Sequence, residues 1–180
     1  LHGDAFPEAL AHSLKLVEEK GYTYIHPYDD PLVIAGQGTL GLEVLRQVPE
    51  ADTLVIAIGG GGLISGIATA AKAIKPGIEI VGVESALYPS MWNAIQSAQR
   101  AMGGATLAEG IAVKNVGALT QPIIRALVSD ILLVDEEHIE QAVSTGDVED
   151  ITAGRAYKLG LLTNLSNPKA LVFFGAVFAQ

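Results

Sequence analysis

Four consecutive glycines, Gly59 to Gly62, stand between an unbroken apolar run, Thr53 to Ile58, and a segment in which Leu63, Ile67, Ala70 and Ile74 recur at helical spacing. Glycines placed there can do a specific chemistry. Without side chains they let successive backbone N–H groups converge on an anion, and the N-terminus of the following helix adds partial positive charge. A phosphate is the natural guest, because open α/β sheets bind ligands at the carboxyl ends of their strands. The plainer alternative is a tightly packed or flexible turn. A nucleoside-triphosphate loop is excluded, since it needs Lys and then Ser or Thr after its last glycine, whereas Gly66 is followed by Ile67. A dinucleotide site is the second possibility. Glu84 ends the next strand 22 residues after Gly62, about where a ribose-binding acid belongs, although Ser65 stands where the third glycine of that fingerprint should be. His2, His12, His26 and His138 are scattered without metal-ligand spacing.

The elements that would position the loop follow from periodicity and breakers. Leu10, Leu14 and Val17 predict a helix, with Asp4 as its N-cap and Gly21 at its C-terminal end. Tyr22 to His26 is β-branched and aromatic and predicts a strand, followed by a breaker-rich turn from Pro27 to Pro31. Leu32 to Val48 is ambiguous: its second half, Leu42 to Val48, predicts a helix, but Gly36, Gly38 and Gly41 are poor helix formers. Glycines there make sense if a backbone or ligand packs closely against them. Thr53 to Ile58 and Ile78 to Val83 predict buried parallel strands around a Leu63 to Ile74 helix that Lys75-Pro76-Gly77 stops, which is a βαβ unit. Val116 to Leu127 predicts a helix, Ile131 to Val134 a strand and Glu136 to Val143 another helix. The alternation implies an α/β fold, with an open, mostly parallel sheet and helices on both faces.

Composition narrows the class. The 180 residues are 49% hydrophobic and 17% charged, which suits one ordinary folded domain rather than a disordered chain. With no cysteine there is no disulfide scaffold, cysteine-based zinc or iron–sulfur site, or cysteine nucleophile. A formal charge of -9 argues against nucleic acid as a partner. The acidic balance suits a cytoplasmic enzyme. Leu1 in place of Met, with no basic-then-apolar leader after it, suggests an internal piece of a longer chain. The charge is uneven: residues 151–180 carry Arg155, Lys158 and Lys169 and no acid, and Phe173, Phe174 and Phe178 cluster at the end. A composition break is therefore expected near Ser144 to Asp150.

Several strings together resemble a known family. VIAGQGTLGLEVL (Val33 to Leu45), VIAIGGGGLISGIATAAKAIKP (Val55 to Pro76), IVGVESALYPSM (Ile80 to Met91), AEGIAVK (Ala108 to Lys114) and LTQPIIRALVSDILLVDEEHIEQAV (Leu119 to Val143) are similar, in order, to the pyridoxal-phosphate-dependent threonine/serine dehydratases. The resemblance covers about residues 1–143. It implies the end of a small domain over 1–26, the C-terminal part of a fold type II cofactor-binding large domain over 27–143, and a divergent junction and apolar tail over 144–180. It further implies that Gly59, Gly60, Gly61 and Gly62 hold the phosphate of pyridoxal 5'-phosphate. The reaction implied is deamination of a small amino acid, threonine or serine, to a 2-oxo acid and ammonia, in a homo-oligomer.

The same resemblance implies what to expect elsewhere. The family's Schiff-base lysine lies in a Ser-x-Lys segment upstream of these residues, and Lys72, Lys75 and Lys114 have no such context, so no catalytic residue is assigned and no turnover is expected of these residues alone. Some members bind a divalent cation through positions that correspond here to Glu84, the carbonyl of Tyr88 and Ser90. Serine in place of an acid removes a carboxylate that a divalent ion would favour, so an empty or monovalent site is the better expectation. Residues 154–180, with GLLTNLSNPKALVFFGAVFAQ at their core, resemble the lysine/homoserine-type amino-acid exporters instead. The run from Ala170 to Ala179 is shorter than the roughly 20 residues of a spanning helix, so it could only begin one, and membrane contact or a C-terminal core helix are the two readings.

Overall fold

A computed structural model describes residues 6–144, and the tail with its exporter-like run lies outside them, as does Asp4. The first helix, α1, spans Phe6–Lys20 and ends at Gly21, whose φ of 69° is the left-handed conformation anticipated there. Tyr22 to His26 forms no strand. It runs without a ladder partner among the described residues and leaves Tyr22 61% and Ile25 66% exposed. Strand propensity is satisfied only when a neighbour offers donors and acceptors. Here the segment instead folds into the following turn, where His26 Nδ1 accepts from Asp29 N at 2.9 Å.

Helix α2 takes in the whole ambiguous stretch, Pro31–Gln47. Pro31 sits in its first turn, and the Asp30 carboxylate accepts from Leu32 N at 2.8 Å and Val33 N at 3.1 Å. The glycines weaken the helix locally but let it approach its neighbour. That neighbour is α3, Gly62–Ile74, which follows strand β1, Thr53–Ala57. A Cβ at Gly38 would lie 3.0 Å from the Gly66 carbonyl oxygen, and one at Gly41 would lie 3.1 Å from that of Ile67. Backbone therefore packs on backbone along this seam.

Strand β2, Glu79–Ser85, runs parallel to β1 with Thr53 opposite Glu79 and Ala57 opposite Val83. Short helix α4, Ser90–Gln96, follows; its seven residues fall in a stretch where the sequence suggested no helix. A single turn at Glu109–Ile111 and helix α5, Thr120–Leu127, lead to β3, Asp130–Val134, and then α6, Glu136–Ser144. The sheet order is β1-β2-β3, and both pairings are parallel.

Alternation along the strands builds two apolar layers. Leu54, Ile56, Ile80 and Ile131 pack with Ile64, Ile67, Ala68 and Ala71 of α3 and with Leu45 of α2. Ala57 and Val83 point the other way, onto Ala108, Ile111 and Ile139 of α6. Helices thus cover both faces, the arrangement expected of parallel strands joined by crossovers. Among the described residues no helix is long and apolar enough to cross a membrane.

Candidate functional site

The glycine loop follows directly from β1, because Ile58, the next residue, is still bonded to the sheet through Ile58 N and the Val83 carbonyl at 2.8 Å. Gly59 is half-buried, and Gly60, Gly61 and Gly62 are buried. Gly61 adopts φ 95°, where L side chains are strained, and a Cβ there would also meet Thr120 Oγ1 at 2.8 Å and Met91 Cε at 2.9 Å. A Cβ at Gly60 would collide with the ring of Tyr28. A side chain is thus refused at both positions, and tight packing accounts for part of the glycine run.

The helix that the loop opens is exceptional among its neighbours. Four of the helices from α2 to α6 have carboxylates on their N-terminal N–H groups: Asp30 on α2, Glu84 on α4, Asp29 on the Thr120 N–H that opens α5, and Asp135 on α6. Asp29 reaches across the chain, accepting from Ala118 N at 2.9 Å and Leu119 N at 2.8 Å. Helix α3 begins instead at Gly61, with no side chain capping it. A buried N-terminus left open in this way presents unpaired donors and partial positive charge to an anion.

Glu84 behaves otherwise than its spacing suggested. Its side chain is 0% exposed, and its two oxygens accept from Met91 N and Trp92 N, each at 2.8 Å. A carboxylate turned inward onto α4 cannot hold a ribose, which overturns the dinucleotide alternative. Of the suggested cation ligands, Ser90 donates its hydroxyl to Glu84 Oε1 at 3.5 Å, and the Tyr88 carbonyl accepts from Ser90 N at 2.9 Å. Among the described residues no three His, Cys, Asp or Glu side chains converge.

Burial pushes Glu84 up to about 7 against the opposing pull of the Met91 and Trp92 N–H groups and the Ser90 hydroxyl. The folded state then keeps a proton that the unfolded chain has lost above its ordinary value of 4.5. Stability from this group is fully present below that value and is lost as pH rises through about 7. The loss is on the order of 3 kcal/mol. Urea unfolding at pH 5 and pH 7.5 is expected to show a steeper fall for the native chain than for Glu84→Gln. Equal slopes would show that Glu84 does not titrate in this window.

The three lysines stand away from this chemistry: Lys75 Nζ donates to the Ala51 carbonyl at 2.7 Å, Lys72 Nζ to that of Pro76 at 3.5 Å, and Lys114 is exposed. What sequence reasoning missed is the support of the loop by Tyr28, Asp29 and Thr120. Tyr28 and Asp29 sit in the turn Pro27 to Pro31, and nothing local links them to a glycine run about thirty residues away.

With its geometry in view, the loop can be set beside known proteins. The family profile described as pyridoxal-phosphate dependent enzyme matches residues 1–150. The chain belongs to that family. Among curated members, the L-threonine ammonia-lyase of Geobacter sulfurreducens is 48% identical over 145 residues, covering 79% of this chain and 36% of that protein. The catabolic L-threonine dehydratase TdcB of Escherichia coli is 45% identical over 147 residues, covering 79% of this chain and 44% of that one. Among solved structures, maize serine racemase superposes with a TM-score of 0.78 at 33% identity, covering 97% of this chain and 55% of that chain. A threonine deaminase from T.th. superposes with a TM-score of 0.76 at 34% identity, covering 99% of this chain and 58% of that chain. This pyridoxal-phosphate-family chain thus spans between about a third and three fifths of the length of these relatives. Its fold is the α/β arrangement with a parallel sheet that they share.

The family's cofactor carries a phosphate, and the residues present fit that group. An open helix N-terminus, a left-handed glycine and close-packed walls are the features a phosphate cradle needs.

Proposed function

We propose that this chain supplies the cofactor-phosphate site of an enzyme that deaminates threonine or serine to a 2-oxo acid and ammonia, with Gly59, Gly60, Gly61 and Gly62 around the phosphate of pyridoxal 5'-phosphate. The observation that carries the site is the start of α3, the one helix from α2 to α6 on whose first turn no carboxylate is found among the described residues. The reaction is drawn from the relatives, which are named for L-threonine ammonia-lyase and dehydratase activities. When bound, the cofactor supplies an electron sink for a carbanion on the amino acid. The residues of this chain do the positioning. The loop N–H groups and the α3 N-terminus hold the phosphate, and Tyr28 and Ile111 close the loop against the protein.

At Glu84, Tyr88 and Ser90 we propose no cation, because both Glu84 oxygens already accept N–H groups and the Tyr88 carbonyl accepts from Ser90 N. One carboxylate already shared by two N–H groups offers a divalent ion too little anionic charge. A homo-oligomer in the cytoplasm belongs to the same proposal, on the likeness to the threonine enzymes. Residues 154–180 lie beyond the family match, and we assign them no exporter or membrane role.

The test is an absorbance titration of the chain with pyridoxal 5'-phosphate, repeated with rising inorganic phosphate. Saturable binding that phosphate competes away is expected. Binding that ignores phosphate, or that pyridoxal without its phosphate reproduces, would sink the assignment.

A further inference from the structure

The glycine loop is held by a latch that lies outside it. Thr120, 0% exposed, donates its hydroxyl to the Gly60 carbonyl at 2.7 Å, and Gly117 N approaches the same oxygen at 3.4 Å. The second acceptor near that hydroxyl, the Gly117 carbonyl, is farther away at 3.3 Å, so the single proton goes to Gly60. Thr120 is itself placed by Asp29. That carboxylate takes Ala118 N at 2.9 Å, Leu119 N at 2.8 Å and Thr120 N at 3.4 Å. Gly117 lets Asp29 come this close, since a Cβ there would strike its carboxylate.

The consequence follows from peptide geometry. No peptide bond among the described residues is cis. In a planar trans peptide the carbonyl of one residue and the N–H of the next point in opposite directions. A Gly60 carbonyl fixed toward Thr120 on α5 therefore aims the Gly61 N–H away from α5. Nothing within the loop dictates that choice, because a peptide flanked by glycines can flip at little cost.

We propose that Thr120, held by Asp29, is a positioning residue that sets the Gly60–Gly61 peptide so that the Gly61 N–H faces the phosphate. The inference rests on the phosphate assignment of the loop, and the side chains it names act through the loop backbone.

The test compares Thr120→Val, Thr120→Ser and Asp29→Ala in the full 180-residue chain, with inorganic phosphate and pyridoxal 5'-phosphate as probes. Thr120→Val, which keeps shape and loses the hydroxyl, is expected to weaken both about tenfold, the worth of one hydrogen bond. Thr120→Ser restores the donor and should bind within about threefold of the native chain. In the chain without ligand, the Gly60 carbonyl-carbon resonance should move in Thr120→Val and stay in Thr120→Ser, a readout that general loosening does not give. Asp29→Ala combined with Thr120→Val should weaken binding no more than the worse single change, because both act along one path. Native-strength phosphate binding by Thr120→Val, or additive losses in the pair, would overturn the latch while leaving the phosphate assignment intact. Failure of the native chain to bind phosphate would overturn the assignment and the latch with it.

Discussion

Alanine at Gly60 is expected to abolish phosphate-competitive binding of pyridoxal 5'-phosphate, and removal of the Tyr28 ring is expected to restore much of it. The added Cβ has no space, because the three nearest atoms are all in the Tyr28 ring. That ring cannot simply retreat, since its hydroxyl donates to the Asn115 carbonyl at 3.0 Å and its edge meets the His26 ring at a centroid separation of 4.6 Å. The loop must yield instead, and a shift of even part of an ångström misaligns N–H groups whose value depends on direction. Binding should fall at least about a hundredfold, since several charge-assisted hydrogen bonds to the phosphate weaken together. In Tyr28→Ala with Gly60→Ala the methyl enters the vacated volume and affinity should recover to within about tenfold of Tyr28→Ala alone. Gly77→Ala is the control, because a Cβ there meets nothing within 4 Å. Absorbance titration measures all four chains. Unimpaired binding by the Gly60→Ala chain would mean that the phosphate lies elsewhere.

Alanine at Gly66 should produce a large loss of stability for a single added methyl. In an exposed helix the change would help by about 1 kcal/mol, because glycine is the poorer helix former. Here the methyl would drive into the Ile34 carbonyl and lie 2.6 Å from Gly38 N, both backbone atoms of α2. Side chains can rotate away from a clash, whereas a helix backbone has to translate. Moving α2 outward opens space beside Leu45 and Ile67 in the main core. Overpacking and the resulting void together should cost about 3 kcal/mol. A fall in the urea midpoint with little change in slope is the expected record. A midpoint equal to the native one would show that the seam is looser than these distances require.

These two glycines show what could be read in advance and what could not. Gly60 lies in a run of four after an apolar strand, a pattern with a local meaning, so a tight loop between β1 and α3 could be expected from residues 53–74 alone. Gly36, Gly38 and Gly41 looked like arguments against a helix. Propensity is a local quantity, and the packing of Gly38 and Gly41 against Gly66 and Ile67, far along the chain, overrode it. The β-rich run Tyr22 to His26 departs in the opposite direction, since a favourable propensity finds no partner among the described residues. Glu84 was singled out for its place at the end of a strand, which was correct, but its target was a helix that the sequence reading missed. Helix α4 has seven residues, too short for a periodic signal, and its cap comes from a strand rather than from the preceding residue. Asp29 and Thr120, 91 positions apart, leave no local trace at all.

The neighbours that crowd the four glycines are Tyr28, Ile111, Val113, Thr120, Met91 and Ile124, and no lysine or arginine is among them. Under the proposed assignment, what these neighbours leave for a phosphate is oriented N–H dipoles, whose influence fades within about one helical turn. The net charge of -9 on these 180 residues adds no attraction for an anion. A phosphate assigned to this loop would be recognised only once it has arrived. Such a site discriminates by fit rather than by charge, and the remaining contacts of the cofactor have to carry it there.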